Sequence, residues 1–142
     1  ICDGVLLHPS TINSTFKMFG DNRVIMISDS VMAAGMPEGS YTLGGQKITV
    51  TGKTATVDAT GALAGSVSNL MECMCLCVRE MGIPLGSAVK AASSNPAKAL
   101  RIYDKYGSIS HGKYADIVLL DRDLNIRKII FRGKLLDRRR NL

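Results

Sequence analysis

The stretch RVIMISDSVMAAG, residues 23–35, decides the fold class of this chain. Its first half, Arg23 to Ser28, is almost continuously apolar, and strands of that kind belong to parallel sheets that are covered on both faces. Asp29 follows directly, and the loop from Ser30 to Gly39 is rich in glycine and alanine. Because barrel enzymes place catalytic side chains where a strand meets such a loop, Asp29 is a candidate catalytic residue. A helix cap or a turn residue is the structural alternative.

The segment before this stretch predicts a neighbouring strand. Val5-Leu6-Leu7 is a short apolar run that Pro9 ends, and it predicts a second buried strand with His8 at its end. Residues 11 to 19 predict a helix between the two strands. His8 is therefore a second candidate for chemistry, with the same structural alternative as Asp29.

Glycine turns then separate three alternating segments within residues 41–58. These are Tyr41 to Leu43, Lys47 to Val50 and Thr54 to Val57, and together they predict a small antiparallel meander inserted into an α/β frame. The turn Leu43-Gly-Gly-Gln46 lacks the lysine and serine of a phosphate-binding loop, so it predicts a hairpin.

The following part of the chain predicts helices. Apolar residues recur at helical spacing from Val67 to Met81, residues 85 to 92 form a shorter candidate, and Asn95 is predicted to cap a helix that reaches about Tyr103. Leu63-Ala-Gly-Ser66 precedes the first helix, so its amides are candidates to bind a polar or anionic ligand, with ordinary helix capping as the alternative. The last segments predict a β-subdomain with strands at 115–120, 126–131 and 134–136.

Composition limits the functional classes. The chain has 142 residues, of which 46% are hydrophobic and 21% charged, as in a globular domain. We expect no membrane segment or signal peptide and a cytoplasmic location, and the start at Ile1 suggests part of a longer polypeptide. Four cysteines lack the spacing of a zinc site and are predicted to be reduced core residues.

The net charge of +6 comes from the last segment. Residues 101–142 hold eleven basic and five acidic residues, ending in Arg138 to Arg140. Because the closing run Arg138 to Arg140 has no aromatic residues interleaved with it, a solvated basic tail is favoured over a nucleic-acid surface.

Several motifs together resemble the N-acetylglucosamine-6-phosphate deacetylase family of the amidohydrolase superfamily. The closing Gly-Lys-x-Ala-Asp pattern is shared by many amidohydrolases, whereas the LAGS element and the stretch from Asp29 to the double glycine are more specific. The resemblance covers residues 1 to 136 and rests on these segments: Asp3-Gly4 with His8-Pro9, Ile27-Ser-Asp29, Leu43-Gly-Gly45, Gly61-Ala-Leu-Ala-Gly-Ser66, Asn95-Pro96-Ala97, and Gly107-Ser-Ile with Gly112-Lys113-Tyr-Ala-Asp-Ile-Val-Leu-Leu-Asp121.

The resemblance implies an α/β fold: residues 1–104 as the C-terminal part of a TIM-like (β/α)8 barrel, and residues 105–142 as strands of a small β-sandwich subdomain. It implies hydrolysis of the acetamide of N-acetylglucosamine 6-phosphate, an amino-sugar phosphate, to glucosamine 6-phosphate and acetate. Asp29 matches the family's catalytic aspartate, which takes a proton from a metal-bound water and delivers one to the departing amine.

The resemblance also implies binding residues. Leu63, Ala64 and Gly65 match the segment that lines the substrate pocket, and His8 matches a second histidine found in many members. Leu6 stands where the family has a sugar-contacting histidine. The family's metal ligands lie upstream, so a zinc or iron site is expected in the full-length enzyme, a dimer, and no complete site in this chain. Alone, the chain is expected to be inactive and to self-associate as a homo-oligomer.

Two alternatives remain open. Leu6 favours a metal-dependent amidohydrolase that acts on a different amide or cyclic amide. A non-catalytic interaction module, binding acidic partners through Arg138 to Arg140, is the alternative from another class.

Overall fold

The computed structural model of the chain describes residues 1–136. Its packing divides the chain into two compact units, Ile1–Ala92 and Ser93–Leu142. The predicted boundary between barrel and β-subdomain, at residues 104 and 105, concerns the intact fold and stays a prediction. The elements in chain order are α1 Pro9–Phe19, β1 Gly39–Leu43, β2 Gln46–Thr51, β3 Thr54–Val57, β4 Leu63–Ser66, α2 Leu70–Arg79, α3 Leu85–Val89, a π-helical turn Lys90–Ser94, α4 Asn95–Ala99, β5 Ile117–Leu120, β6 Ile126–Phe131 and β7 Lys134–Leu135.

The two predicted buried strands are wrong as strands in this chain. Residues 5–7 form a bend, and residues 24–29 run without a ladder partner in the described part of the chain. The Cys2 N–H donates to the Ile27 carbonyl at 3.1 Å, so the two segments are neighbours. Val24 and Met26 are buried, whereas Ile27 is 50% exposed. The segment therefore has one covered face and one uncovered face, and it is not a strand because the described residues supply no ladder partner for it.

Helix α1 confirms the predicted crossover helix and starts two residues earlier. His8 occupies its N-cap, Pro9 stands at its first position and Gly20 ends it. Ile12 is its buried residue, and the Asn13 side chain donates to the Met81 carbonyl at 2.7 Å. The helix is therefore anchored to the segment that follows α2.

Strands β1 to β4 form one antiparallel sheet in sequence order, which confirms the predicted meander. The prediction missed β4, because Leu63–Ser66 pairs with β3 instead of capping a helix. The loop residue Ala33 packs with Ile48, Val50 and Ala55 in a core whose members are at most 3% exposed. The sheet therefore holds the loop that follows Asp29.

Helix α2 confirms the helical stripe within residues 67–81. Its N-terminus is a reciprocal capping box between Asn69 and Glu72. Cys73 and Cys77 lie on the buried face and Cys75 is half-buried, as the helical spacing predicts, and all are free thiols.

The helix predicted to begin after an Asn95 cap is placed differently. Asn95 is the first residue of α4 and Ser94 is the N-cap, and α4 ends at Ala99 instead of near Tyr103. Arg101 has a φ of 59°, a left-handed conformation that stops a helix. Pro96 lacks the N–H of a regular α-helical bond, which accounts for the π-helical turn before it.

The second unit contains the three predicted strands. Strands β5, β6 and β7 pair antiparallel in sequence order, which confirms the strands expected at the end of the chain. The tail Arg138 to Arg140 lies outside the described residues, so the interaction-module hypothesis stays a prediction. Within residues 1–136, no helix combines the length and the apolar character needed to cross a membrane.

Candidate active site around Asp29

Asp29 lies at the end of the extended segment with an exposed side chain. Its φ is 58°, a left-handed conformation that aspartate tolerates better than most residues but that still costs about 1–3 kcal/mol. Such strain persists only where surrounding contacts impose it, and it is frequent at functional sites. The contacts of this residue therefore decide whether it is positioned for chemistry.

A short parallel bridge pairs Ser30 with Ser66 of strand β4, directly after Asp29. The Ser66 N–H donates to the Asp29 carbonyl at 2.9 Å, and the Val31 N–H donates to the Ser66 carbonyl at 2.8 Å. Ser66 is 1% exposed, so these bonds are shielded from water. The structure thus brings together two predicted site segments that are more than thirty residues apart in sequence.

Gly65, one of the predicted substrate residues, lies beside Asp29. A Cβ at this position would lie 4.0 Å from Asp29 Oδ2, 3.2 Å from the Asp29 carbonyl oxygen and 2.6 Å from Val31 Cγ1. Its φ of 126° is also a conformation that residues with side chains rarely adopt. Ala64 is half-buried and Leu63 is 44% exposed. The segment therefore presents backbone, not side chains, beside the Asp29 carboxylate.

Serine hydroxyls on both sides of Asp29 and in the segment paired with it form hydrogen bonds that the sequence did not predict. Ser30 Oγ lies 2.6 Å from the Ser68 carbonyl oxygen and 2.7 Å from Ser28 Oγ. The Ser68 N–H donates to Ser66 Oγ at 3.0 Å. The sequence shows serines two residues apart in both segments, at 28 and 30 and at 66 and 68. Which of them form hydrogen bonds depends on the bridge between the segments, so the spacing alone does not predict it.

The segment that carries Leu6 and His8 is shaped by Asp3 and Gly4. Asp3 Oδ1 accepts hydrogen bonds from the N–H groups of Val5 and Leu6, both at 3.0 Å. Gly4 has a φ of 73°, and a Cβ there would lie 2.7 Å from the Leu76 side chain. The Asp-Gly pair therefore forms a turn packed against α2.

His8 is exposed and its ring faces Ser10. His8 Nδ1 lies 2.8 Å from Ser10 Oγ, and the Ser10 N–H donates to the same nitrogen at 3.3 Å. Within residues 1–136, no hydrogen bond links His8 to Asp29. The observed contacts of His8 are thus those of a helix cap. The substrate roles of His8 and of the half-buried Leu6 stay predictions.

The described residues do not fit a metal ion. In residues 1–136, no group of three or more histidine, cysteine, aspartate or glutamate side chains is placed to hold one. The pKa values of the thiols near α2 are shifted in different directions, and burial raises the pKa of Cys73 to about 11. A hydrogen bond with Cys77 lowers the pKa of Cys2 to about 7. Any metal would therefore need ligands from beyond these residues.

Comparisons with known proteins agree with the motifs. Residues 1–136 match the amidohydrolase family. The chain is 35% identical to the N-acetylglucosamine-6-phosphate deacetylase of Bacillus subtilis, over 95% of this chain and 34% of that protein. It is 34% identical to the N-acetylgalactosamine-6-phosphate deacetylase of Escherichia coli O157:H7, over 95% of this chain and 35% of that protein.

A solved structure shows the same fold over a similar span. A variant of the N-acetyl-D-glucosamine-6-phosphate deacetylase from Mycobacterium smegmatis, in complex with N-acetyl-D-glucosamine-6-phosphate, superposes with a TM-score of 0.87 at 33% identity. The superposition covers 94% of this chain and 36% of that chain. This chain therefore spans about a third of the length of the curated relatives named above. Motifs, fold and sequence matches agree, and the chain belongs to the amidohydrolase family.

Proposed function

We propose that the whole protein carrying this chain hydrolyses the acetamide of N-acetylglucosamine 6-phosphate, giving glucosamine 6-phosphate and acetate. The observation that carries the proposal is the placement of Asp29, with its carboxylate exposed beside the backbone of Gly65. The relatives from Bacillus subtilis and Mycobacterium smegmatis, named for this substrate, support the same assignment.

In this proposal Asp29 transfers protons. Its carboxylate accepts a proton from the water that attacks the acetamide carbonyl, and the resulting acid protonates the nitrogen that leaves as an amine. Amide cleavage needs this second transfer because an unprotonated amine is a poor leaving group. An exposed carboxylate at a strained backbone position can reach both atoms, since no side chain at Gly65 obstructs that face.

The proposed architecture of the whole protein is a TIM-like barrel with residues 1–104 as its last part and residues 105–142 in a β-sandwich. Apolar side chains that lie uncovered in residues 5–7 and 24–29 support this architecture. Val5, Leu7, Ile25 and Ile27 are between 36% and 50% exposed, although such residues are usually buried. Further barrel strands and interior side chains would cover this face.

A divalent metal, zinc or iron, is part of the proposal for the whole protein, because amidohydrolases generally depend on metals. Its ligands would come from outside residues 1–136, since the described donors do not form a site. Elemental analysis of the purified whole protein measures this directly. A protein that is active and free of bound metal would contradict this part of the proposal.

Deacetylation by the whole protein, native and Asp29→Asn, tests the function. Loss of acid–base catalysis is expected to lower kcat about 100- to 10,000-fold. Asp58→Asn is the matched control, because it removes the same charge from another exposed aspartate and is expected to leave kcat unchanged. An Asp29→Asn variant with native kcat would refute the assigned role.

N-acetylgalactosamine 6-phosphate is the second candidate substrate. The relative from Escherichia coli O157:H7 that is named for it supports this reading. The ratio of kcat/KM for the two epimers decides between them. If neither sugar phosphate is deacetylated, a different amide substrate is indicated.

A further inference from the structure

We propose that Ser30 is a positioning residue that holds Asp29 in its left-handed conformation and thereby orients the Asp29 carboxylate. The inference rests on the proposed function, because it assigns Ser30 a task only if Asp29 transfers protons. It adds a residue that acts through Asp29 and that neither the motifs nor the relatives assign.

The Asp29 carboxylate depends on its backbone for orientation. In the part of the chain that the structure describes, neither carboxylate oxygen of Asp29 accepts a hydrogen bond. The direction of the side chain is then set by the main chain at residue 29, where φ is 58°. Whatever stabilises this conformation also aims the carboxylate.

Ser30 supplies a side-chain bond that stabilises this conformation. Because the Ser68 carbonyl can only accept, the single hydroxyl hydrogen of Ser30 goes to it, over 2.6 Å. Ser28 Oγ is hydrogen-bonded to Ser30 Oγ, and the two oxygens lie 2.7 Å apart. In a regular strand, residues two apart lie about 6.6 Å from each other along the strand. The left-handed turn at Asp29 brings these two hydroxyls together, and their bond in turn favours the turn.

The anchor for this bond is rigid. Ser68 is 4% exposed, and its N–H donates to Ser66 Oγ at 3.0 Å. Ser66 in turn holds the Asp29 carbonyl through its own N–H at 2.9 Å. Asp29 is thus held directly by the Ser66 N–H at its carbonyl and, through the main chain, by the bond that anchors the Ser30 hydroxyl to Ser68. Removing the Ser30 hydroxyl leaves the first bond intact and releases the second.

The test uses the whole protein and its deacetylation of N-acetylglucosamine 6-phosphate. Ser30→Ala is expected to lower kcat about 10- to 100-fold with KM unchanged, the size of effect that a small misplacement of a catalytic group produces. Ser30→Thr keeps the hydroxyl on an exposed side chain and is expected to restore kcat. Ser110→Ala is the matched control, since Ser110 Oγ also contacts a serine hydroxyl two residues away, at 3.4 Å.

A double variant separates positioning from general damage to the fold. If Ser30 acts through Asp29, Ser30→Ala has no further effect on kcat in an Asp29→Asn background. An equal loss in both backgrounds would show a structural role and overturn the inference. Native kcat in Ser30→Ala, with Asp29→Asn inactive, would overturn the inference and leave the proposed function standing. Full activity of Asp29→Asn would overturn both.

Discussion

Replacing Gly65 by alanine tests the packing of the candidate site. The new Cβ would lie 2.6 Å from Val31 Cγ1, closer than real Cβ atoms come, and 3.2 Å from the Asp29 carbonyl oxygen, which is tighter than most real Cβ contacts. The backbone would also keep a φ of 126° that alanine rarely adopts. Residue 65 would therefore have to move away from Asp29, and the bridge between Ser66 and Asp29 would weaken.

The expected cost combines two effects. An unfavourable backbone conformation contributes about 1–3 kcal/mol, and overpacking contributes about 1–3 kcal/mol. We expect Gly65→Ala to destabilise the protein by about 2–5 kcal/mol, because rotation of Val31 relieves part of the clash. Gly35→Ala is the matched control: its φ is 80° and its Cβ would meet nothing within 4 Å, so only the backbone cost remains.

Thermal and denaturant unfolding of the whole protein measure both variants. Val31→Ala removes the atom nearest the new Cβ. The destabilisation that Val31→Ala causes should therefore be smaller in the Gly65→Ala protein than in the native protein. Deacetylase activity should fall with Gly65→Ala and stay native with Gly35→Ala. Equal stabilities for the two glycine variants would refute the reasoning, because the close approach of Gly65 to Val31 and Asp29 would then have no energetic consequence.

Two further predictions concern the first unit. Ile48→Ala, at a core position with 0% exposure, should lower the free energy of unfolding by about 2–5 kcal/mol, measured by denaturant unfolding. Val118→Ala, at a 48% exposed position, should change it little, and equal effects would contradict the assigned core. Hydrogen bonds from Lys90 and Ser87 lower the pKa of Asp21, so the ionised Asp21 carboxylate stabilises the folded state. That stabilisation is fully present above the unfolded-state pKa and is lost as pH falls through the lowered folded-state pKa. Lys90→Gln should raise the Asp21 pKa, as followed by NMR titration, and an unchanged value would refute the pairing.

Local signals made several elements predictable. Helix α1 begins with a cap and a proline, α2 has an apolar stripe that continues to a terminating glycine, and the meander has glycines at its turns. Each signal acts between residues close in sequence. The same is true of Asp29, which was identified by its position between an apolar run and a glycine-rich loop.

The errors in the strands share one cause. Residues 5–7 and 23–28 were predicted as buried strands, and β4 was missed, because strand formation depends on distant partners. The Asn95 cap was misplaced because the π-helical turn before it changes where the helix begins. A sequence pattern reports the apolar character of a segment but not which neighbours cover it.

The sequence by itself determined the family, the main helices, the meander and the identity of the candidate catalytic aspartate. Only the tertiary structure decided which groups hold that aspartate. The approach of Gly65, the hydroxyl of Ser30 and the left-handed backbone at Asp29 all depend on pairing between residues 29–31 and β4. This pairing joins segments that are distant in sequence, and neither segment carries a local signal for it. Its geometry follows from packing the whole sheet against the loop.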